Sequence, residues 1–103
     1  MRFTDNPPRT IMEVFKILPE GTLAELIDGS IYMSPSPTAN HQRTVGTLCA
    51  ALRAHVEKNN LGEVFISPFD VFLDETSNAV QPDLIFISAG NSTVVEEDAI
   101  HGY

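Results

Sequence analysis

Gln81-Pro82-Asp83 stands directly in front of the almost wholly apolar run Leu84 to Ser88, so a carboxylate meets the mouth of a segment suited to burial. An unpaired carboxylate at that place costs several kcal/mol unless it meets a metal, a cation or hydrogen-bond donors. Pro82 fixes the chain just before it and offers no backbone donor. Glu25 raises the same question, since it is an acid inside the strand-like stretch "LAELIDGSIYMS". His41 falls in the first turn of a helical pattern, and Asp70 follows Pro68-Phe69 as a weaker candidate. Each has a purely structural alternative: Asp83 as the cap of a neighbouring loop, Glu25 as a solvent-facing strand position, His41 as a packing or capping residue. His55 and His101 have no evident role. Taken together, the carboxylates have a chemical logic. Hydrolysis of a phosphodiester needs acids that converge on a divalent ion, which binds the phosphate and lowers the pKa of the attacking water. Mg²⁺ prefers oxygen ligands and keeps several waters, so one or two protein carboxylates suffice.

Other chemistries are excluded by what is missing. There is no phosphate-binding glycine loop, no His-Glu-x-x-His helix and no Gly-x-Ser-x-Gly elbow. The one cysteine, Cys49, can form neither an intrachain disulfide nor a cysteine zinc cluster, and its place in an apolar helix stripe suits a buried structural thiol. Six basic against fourteen acidic residues leave a formal charge of −8. That argues against broad, salt-driven attraction to a phosphate backbone, although carboxylates gathered around a divalent ion repel phosphate only until the metal binds. Solubility is the simplest reason for the charge.

The elements that must position these residues can be read from periodicity. A chain of 103 residues is expected to be one domain, residues 1–103. In "TIMEVFKIL", Ile11, Val14, Phe15 and Leu18 recur at helical spacing before Pro19 and Gly21 stop the pattern. Asp28-Gly29 is a hairpin turn, which sets Ile27 opposite Ser30, Leu26 opposite Ile31 and Glu25 opposite Tyr32. From Ser36-Pro37 or Thr38 to about Lys58, the stripe Val45, Leu48, Cys49, Leu52 and Val56 predicts a long helix, with His41 one turn before Val45. "EVFISPFDVFLDE" is strand-forming and interrupted by Pro68. "VQPDLIFIS" reads as one strand covered on both faces or nearly so, and a short helical turn is expected around Val94 to Asp98. The order predicts an α+β domain: a mixed β-sheet with an N-terminal hairpin, and one long helix packed on a face. No apolar run is long enough to cross a bilayer and "MRFTDNPPRT" lacks the apolar core of a signal peptide, so the chain is read as cytoplasmic, without a membrane.

The run "LPEGTLAELIDGSIYMSPSPTANHQRTVGTL", followed by "SPFDVFLDE" and "VQPDLIFIS", closely resembles the Uma-type putative restriction endonuclease family of the PD-(D/E)XK nuclease superfamily. The resemblance covers nearly the whole chain from Thr10 onward, in four segments in the right order. It implies a restriction-endonuclease-like core, DNA as partner and Mg²⁺ at the site. It makes Asp83 the principal metal ligand and Glu25 a second carboxylate, on the ion or on an ion-bound water. His41 would orient a ligand or phosphate. Members of the family continue past the counterpart of "EEDAIHG" into a core strand that bears the (D/E)XK half-motif, whereas this sequence stops at Tyr103. The expectation is therefore a truncated nuclease-like domain, inactive alone, with Asp83 paired only with Glu25. A hydrophobic sheet edge beside Val80 to Ile87 would be left for a second copy, as a dimer or other homo-oligomer, or for a partner chain. The alternative function is a non-catalytic assembly or interaction module that oligomerises through that edge. A third reading has another polypeptide restore activity by supplying the missing strand.

Overall fold

Thr10 begins the ordered elements by accepting a hydrogen bond on its Oγ1 from the Glu13 N–H, which caps helix α1, Ile11–Lys16. The computed structural model describes residues 7–102. Residues 1–6, which open the stretch "MRFTDNPPRT", and Tyr103 lie outside them. Helix α1 turns Met12 and Phe15 inward. Strands β1, Ala24–Ile27, and β2, Ser30–Met33, follow as a hairpin in the expected register, Glu25 opposite Tyr32 and Leu26 opposite Ile31. Asp28 and Gly29 carry the positive φ values, +47° and +80°, that a two-residue hairpin loop requires.

Helix α2, Ala39–Lys58, is capped by Thr38, whose Oγ1 accepts from the His41 N–H at 3.1 Å. It ends at Asn59, and the chain enters β3, Gly62–Ile66. After the cis Ser67–Pro68 bond come β4, Asp70–Phe72, and β5, Ala79–Val80. Strand β6, Leu84–Ser88, leads into a 3₁₀ segment, Ala89–Val94, and β7, Ala99–His101.

Two sheets result. The larger has the order β2-β1-β5-β4-β7, antiparallel except for the parallel pair β4–β7, and is therefore mixed. The smaller is the antiparallel pair β3–β6, and α2 lies against β3. Helix α1 closes one core on the larger sheet, where Met12 and Phe15 meet Ala24, Leu26, Phe72, Ala79 and Ala99. Leu26 is fully buried; burying a leucine side chain contributes about 1.5–3 kcal/mol. The molecule is thus α+β, with a mixed sheet and one long helix, consistent with a restriction-endonuclease-like fold.

Four expectations are corrected. "VQPDLIFIS" is two strands in different sheets, because Pro82 has no N–H to continue a ladder and the chain leaves β5 there for β6. Nor is β6 covered on both faces: Ile85 is buried, but Phe86 is 44% exposed. The helical turn expected at Val94 to Asp98 is replaced by the earlier 3₁₀ segment and by β7, whose partner β4 is almost thirty residues away in sequence. Along α2, Val56 is buried and Val45, Cys49 and Leu52 are half-buried, so the thiol is only partly covered; Leu48, expected on the same stripe, is 55% exposed.

Candidate active site

The break between β5 and β6 organises the polar residues. Gln81 leaves the larger sheet and Asp83 enters the smaller, so the two face different neighbours. Asp83 is held on the backbone by the Ser67 N–H, which donates to its carbonyl oxygen at 3.2 Å. Its carboxylate Oδ1 lies 3.1 Å from Nε2 of His41, across 42 residues of sequence. The Thr38 cap fixes the turn of α2 from which His41 reaches it. Both side chains are solvent-accessible, 42% for His41 and 58% for Asp83. The contact is an ion pair when the imidazole is protonated, and a neutral N–H···O hydrogen bond when the single ring proton sits on Nε2.

Glu25 is elsewhere. Its Oε2 accepts the Gln81 backbone N–H at 2.8 Å. The Gln81 side chain turns the other way: its Nε2 donates to Asp70 Oδ1 at 2.7 Å and to the Thr22 carbonyl at 3.1 Å. Register explains the meeting. Val71 pairs with Val80, so one step further Asp70 stands opposite Gln81, while β1 flanks β5 on its other side. The expected pairing of Asp83 with Glu25 alone is therefore corrected. Asp83 meets His41, and Glu25 joins Asp70 through Gln81. Asp70 is only a weak candidate from its neighbours and Gln81 is none, since a glutamine in a polar turn carries no local signal.

A cavity of about 840 Å³ opens beside this network, lined by Phe15, Lys16, Phe72, Asp70, Gln81 and His101 among others. It reaches the polar network at Asp70, Gln81 and Thr22, whereas Glu25, His41 and Asp83 are not among its walls. His101 is packed rather than idle, its ring stacked on Phe72 with centroids 5.1 Å apart and its Nε2 3.3 Å from Glu96 Oε2.

A second network lies in the loop between β4 and β5. Asp74 Oδ1 accepts the backbone N–H groups of Thr76, Ser77 and Asn78, and its Oδ2 accepts from Asn78 Nδ2 at 2.8 Å. These donors favour the charged form, the Asn78 side chain most and the Ser77 N–H next, and they hold the Asp74 carboxyl down at about 2. Asn78 Oδ1 then accepts from the Asp28 N–H, and the Ser77 carbonyl from the Gly29 N–H. The loop from β4 to β5 is thereby clasped to the β1–β2 turn.

Among the described residues, no group of three or more His, Cys, Asp or Glu side chains converges to hold a metal ion. The donor chemistry at Asp83 suits a hard, water-rich ion such as Mg²⁺, which needs only one or two carboxylates, but these residues do not close a shell. No lysine among them contacts Asp83 or Glu25; Lys16 lies over the Phe72 ring, 5.2 Å from its centroid. No helix among the described residues is long and apolar enough to cross a membrane. In comparison with known proteins, the Uma2 family model, described as "putative restriction endonuclease", matches residues 11–101. No curated protein matches the chain.

Proposed function

From the membership of this chain in the Uma2 family of restriction-endonuclease-like nucleases, we propose that it carries part of a DNA-cleaving, Mg²⁺-dependent phosphodiesterase site acting in the cytoplasm. Asp83 is the principal carboxylate for the ion and Glu25 the second. His41 orients Asp83 or a phosphate. When bound, the ion would supply charge neutralisation at the phosphate and acidify a water. The protein's own part is to hold Asp83 at the strand entrance and to keep its carboxylate directed by His41.

The observation that carries this reading is the His41–Asp83 contact, 3.1 Å between two residues singled out by the family resemblance and brought together from different elements. Because the candidate carboxylates divide into two separate groups and no lysine among the described residues contacts Asp83 or Glu25, the chain alone is expected to be a poor catalyst. Incubated with supercoiled plasmid and Mg²⁺, the purified protein should show little or no cleavage. Robust cleavage that disappears in Asp83→Ala would overturn the inactivity while establishing the nuclease.

A second reading is supported by a different observation. Strand β6 pairs only with β3 among the described residues, and Ile66 of β3 and Phe86 of β6 are exposed on one face of that pair. In this reading the molecule is a homo-oligomerising module, and a second copy covers that face.

A further inference from the structure

Helix α1 has six residues, about 9 Å at 1.5 Å per residue, whereas the five-stranded sheet beneath it is about 19 Å across. A helix this short cannot cover the whole face. Register sets the floor of the uncovered part: Asp70 pairs with Ala99 and Phe72 with His101, so these four side chains stand on one face of β4–β7. Phe15 of α1, Leu18 of the turn after it and Phe69 before β4 supply apolar walls, and the exposed Glu20, Glu97 and Asp98 complete the cavity of about 840 Å³. Its hydrogen-bonding groups are one-sided. Glu20, Glu97 and Asp98 make no side-chain hydrogen bond or ion pair among the described residues, Asp70 uses only Oδ1, on Gln81, and the Gln81 amide oxygen accepts nothing. Against these acceptors stands one ammonium, that of Lys16 over the Phe72 ring, while the Thr22 hydroxyl already donates to the Pro19 carbonyl. Four carboxylates and one ammonium give the lining a formal charge of −3, with His101 neutral. Such a wall repels anions and suits a ligand that brings positive charge, donors and apolar surface together.

We propose that this groove between α1 and the β4–β7 pair is a docking site for a basic peptide segment of another protein. Arginine or lysine side chains of the segment meet Asp70, Glu20, Glu97 and Asp98, and its apolar side chains rest on Phe15, Leu18 and Phe69. A peptide suits the lining better than a free polyamine does. The volume is in the upper part of the range for ligand sites, and aromatic walls gain most from branched or ring side chains, which a polyamine lacks. The site stands apart from the nuclease reading, because Glu25, His41 and Asp83 do not line it.

The test titrates the full chain into a labelled hexapeptide of alternating arginine and leucine, reads fluorescence anisotropy, and maps the contact by amide NMR shifts, with thermal melting recorded for every variant. The amides of Lys16, Phe72, Ala99 and His101 should shift, and affinity should fall as salt is added. A peptide of alternating arginine and serine, equal in charge, should bind about tenfold more weakly, the loss of roughly one buried leucine. A glutamate–leucine peptide should not bind. Glu97→Gln combined with Asp98→Asn should weaken binding about fivefold. Glu63→Gln combined with Glu75→Gln, which removes as much charge from exposed positions outside the groove, should change it by less than about twofold. Absence of binding to the arginine–leucine peptide overturns the proposal outright. Equal losses in the two double variants, or shifts confined to β3 and β6, place the contact elsewhere and overturn it as well. Equal affinity for the arginine–serine peptide or for spermidine leaves a purely electrostatic surface and overturns the peptide groove.

Discussion

A carboxylate's partners, more than its place in the sequence, decide what it does here. Asp83 and Glu25 were visible as acids among apolar neighbours, and His41 as a polar residue on a helix stripe. Who meets whom was not visible, because the chain breaks at Pro82 and sends Gln81 and Asp83 to different sheets. Asp74 was hidden for another reason: "DETSN" looks like any polar loop until its backbone N–H groups are seen turned onto one carboxylate. That residue carries the clearest pH prediction. Its folded pKa, about 2, is below the ordinary value of 3.8, so its contribution to stability is complete above the unfolded value and is lost as pH falls through the folded one. Melting followed from neutral pH down to strongly acidic buffer should show wild type losing stability in the interval between those two values. Asp74→Asn should be less stable at neutral pH and should lose less on acidification through that interval. Parallel pH curves for the two proteins would remove the loop clasp as an acid-sensitive element.

Local chemistry fixed some elements almost completely. Asp28-Gly29 needs no tertiary partner to specify its turn, and the hairpin register followed from it. The long helix was equally legible from its stripe and from Thr38 as its cap. Strand β7 was not, since three residues in a parallel pair with β4 have no local signature and depend on a distant neighbour. Gly62 shows how much a single backbone position can control. It begins β3 at φ +153°, and a Cβ built there would collide with the carbonyl oxygen of Ile87 and stand 2.9 Å from the Ser88 Cα. Both obstructing groups are backbone in the paired strand, so neither can swing aside. Gly62→Ala should therefore separate β6 from β3 at that end and destabilise the protein by about 2 kcal/mol or more, combining a forbidden φ with a backbone clash. Hydrogen exchange should show Ile87 and Ser88 losing protection first. A Gly62→Ala protein with wild-type melting and intact protection there would mean that the two strands can part without cost. Gly21→Ala is a useful contrast: φ is +83° but open space surrounds the position, so only the conformational penalty applies.

The described chain is spread out for its size. Its radius of gyration is 15.4 Å, against about 13 Å for a compact domain of ~100 residues. The cause lies in the two sheets: α1 buries its core on the larger one, while α2 rests on β3 and leaves much of its own length in solvent. On β3–β6, the register puts Val64 opposite Phe86 and Ile66 opposite Leu84, so period-two alternation gathers these four side chains on one face. Ile66 is 53% and Phe86 44% exposed on that face. An apolar face beside a free strand edge favours association, but the formal charge of −8 opposes bringing two copies together. Salt separates these two effects, because it screens the repulsion and leaves the apolar attraction intact. Average mass measured by light scattering should therefore rise with protein concentration, and should rise further when salt is added. Phe86→Lys, which puts a charge on the exposed face without touching Ile85 beneath it, should hold the protein monomeric under the same conditions. Association that weakens with salt would point to pairing through charge, with the β3–β6 face left open. A wild-type monomer at high concentration and high salt would end the oligomer reading and leave the His41–Asp83 site as the better account of the molecule.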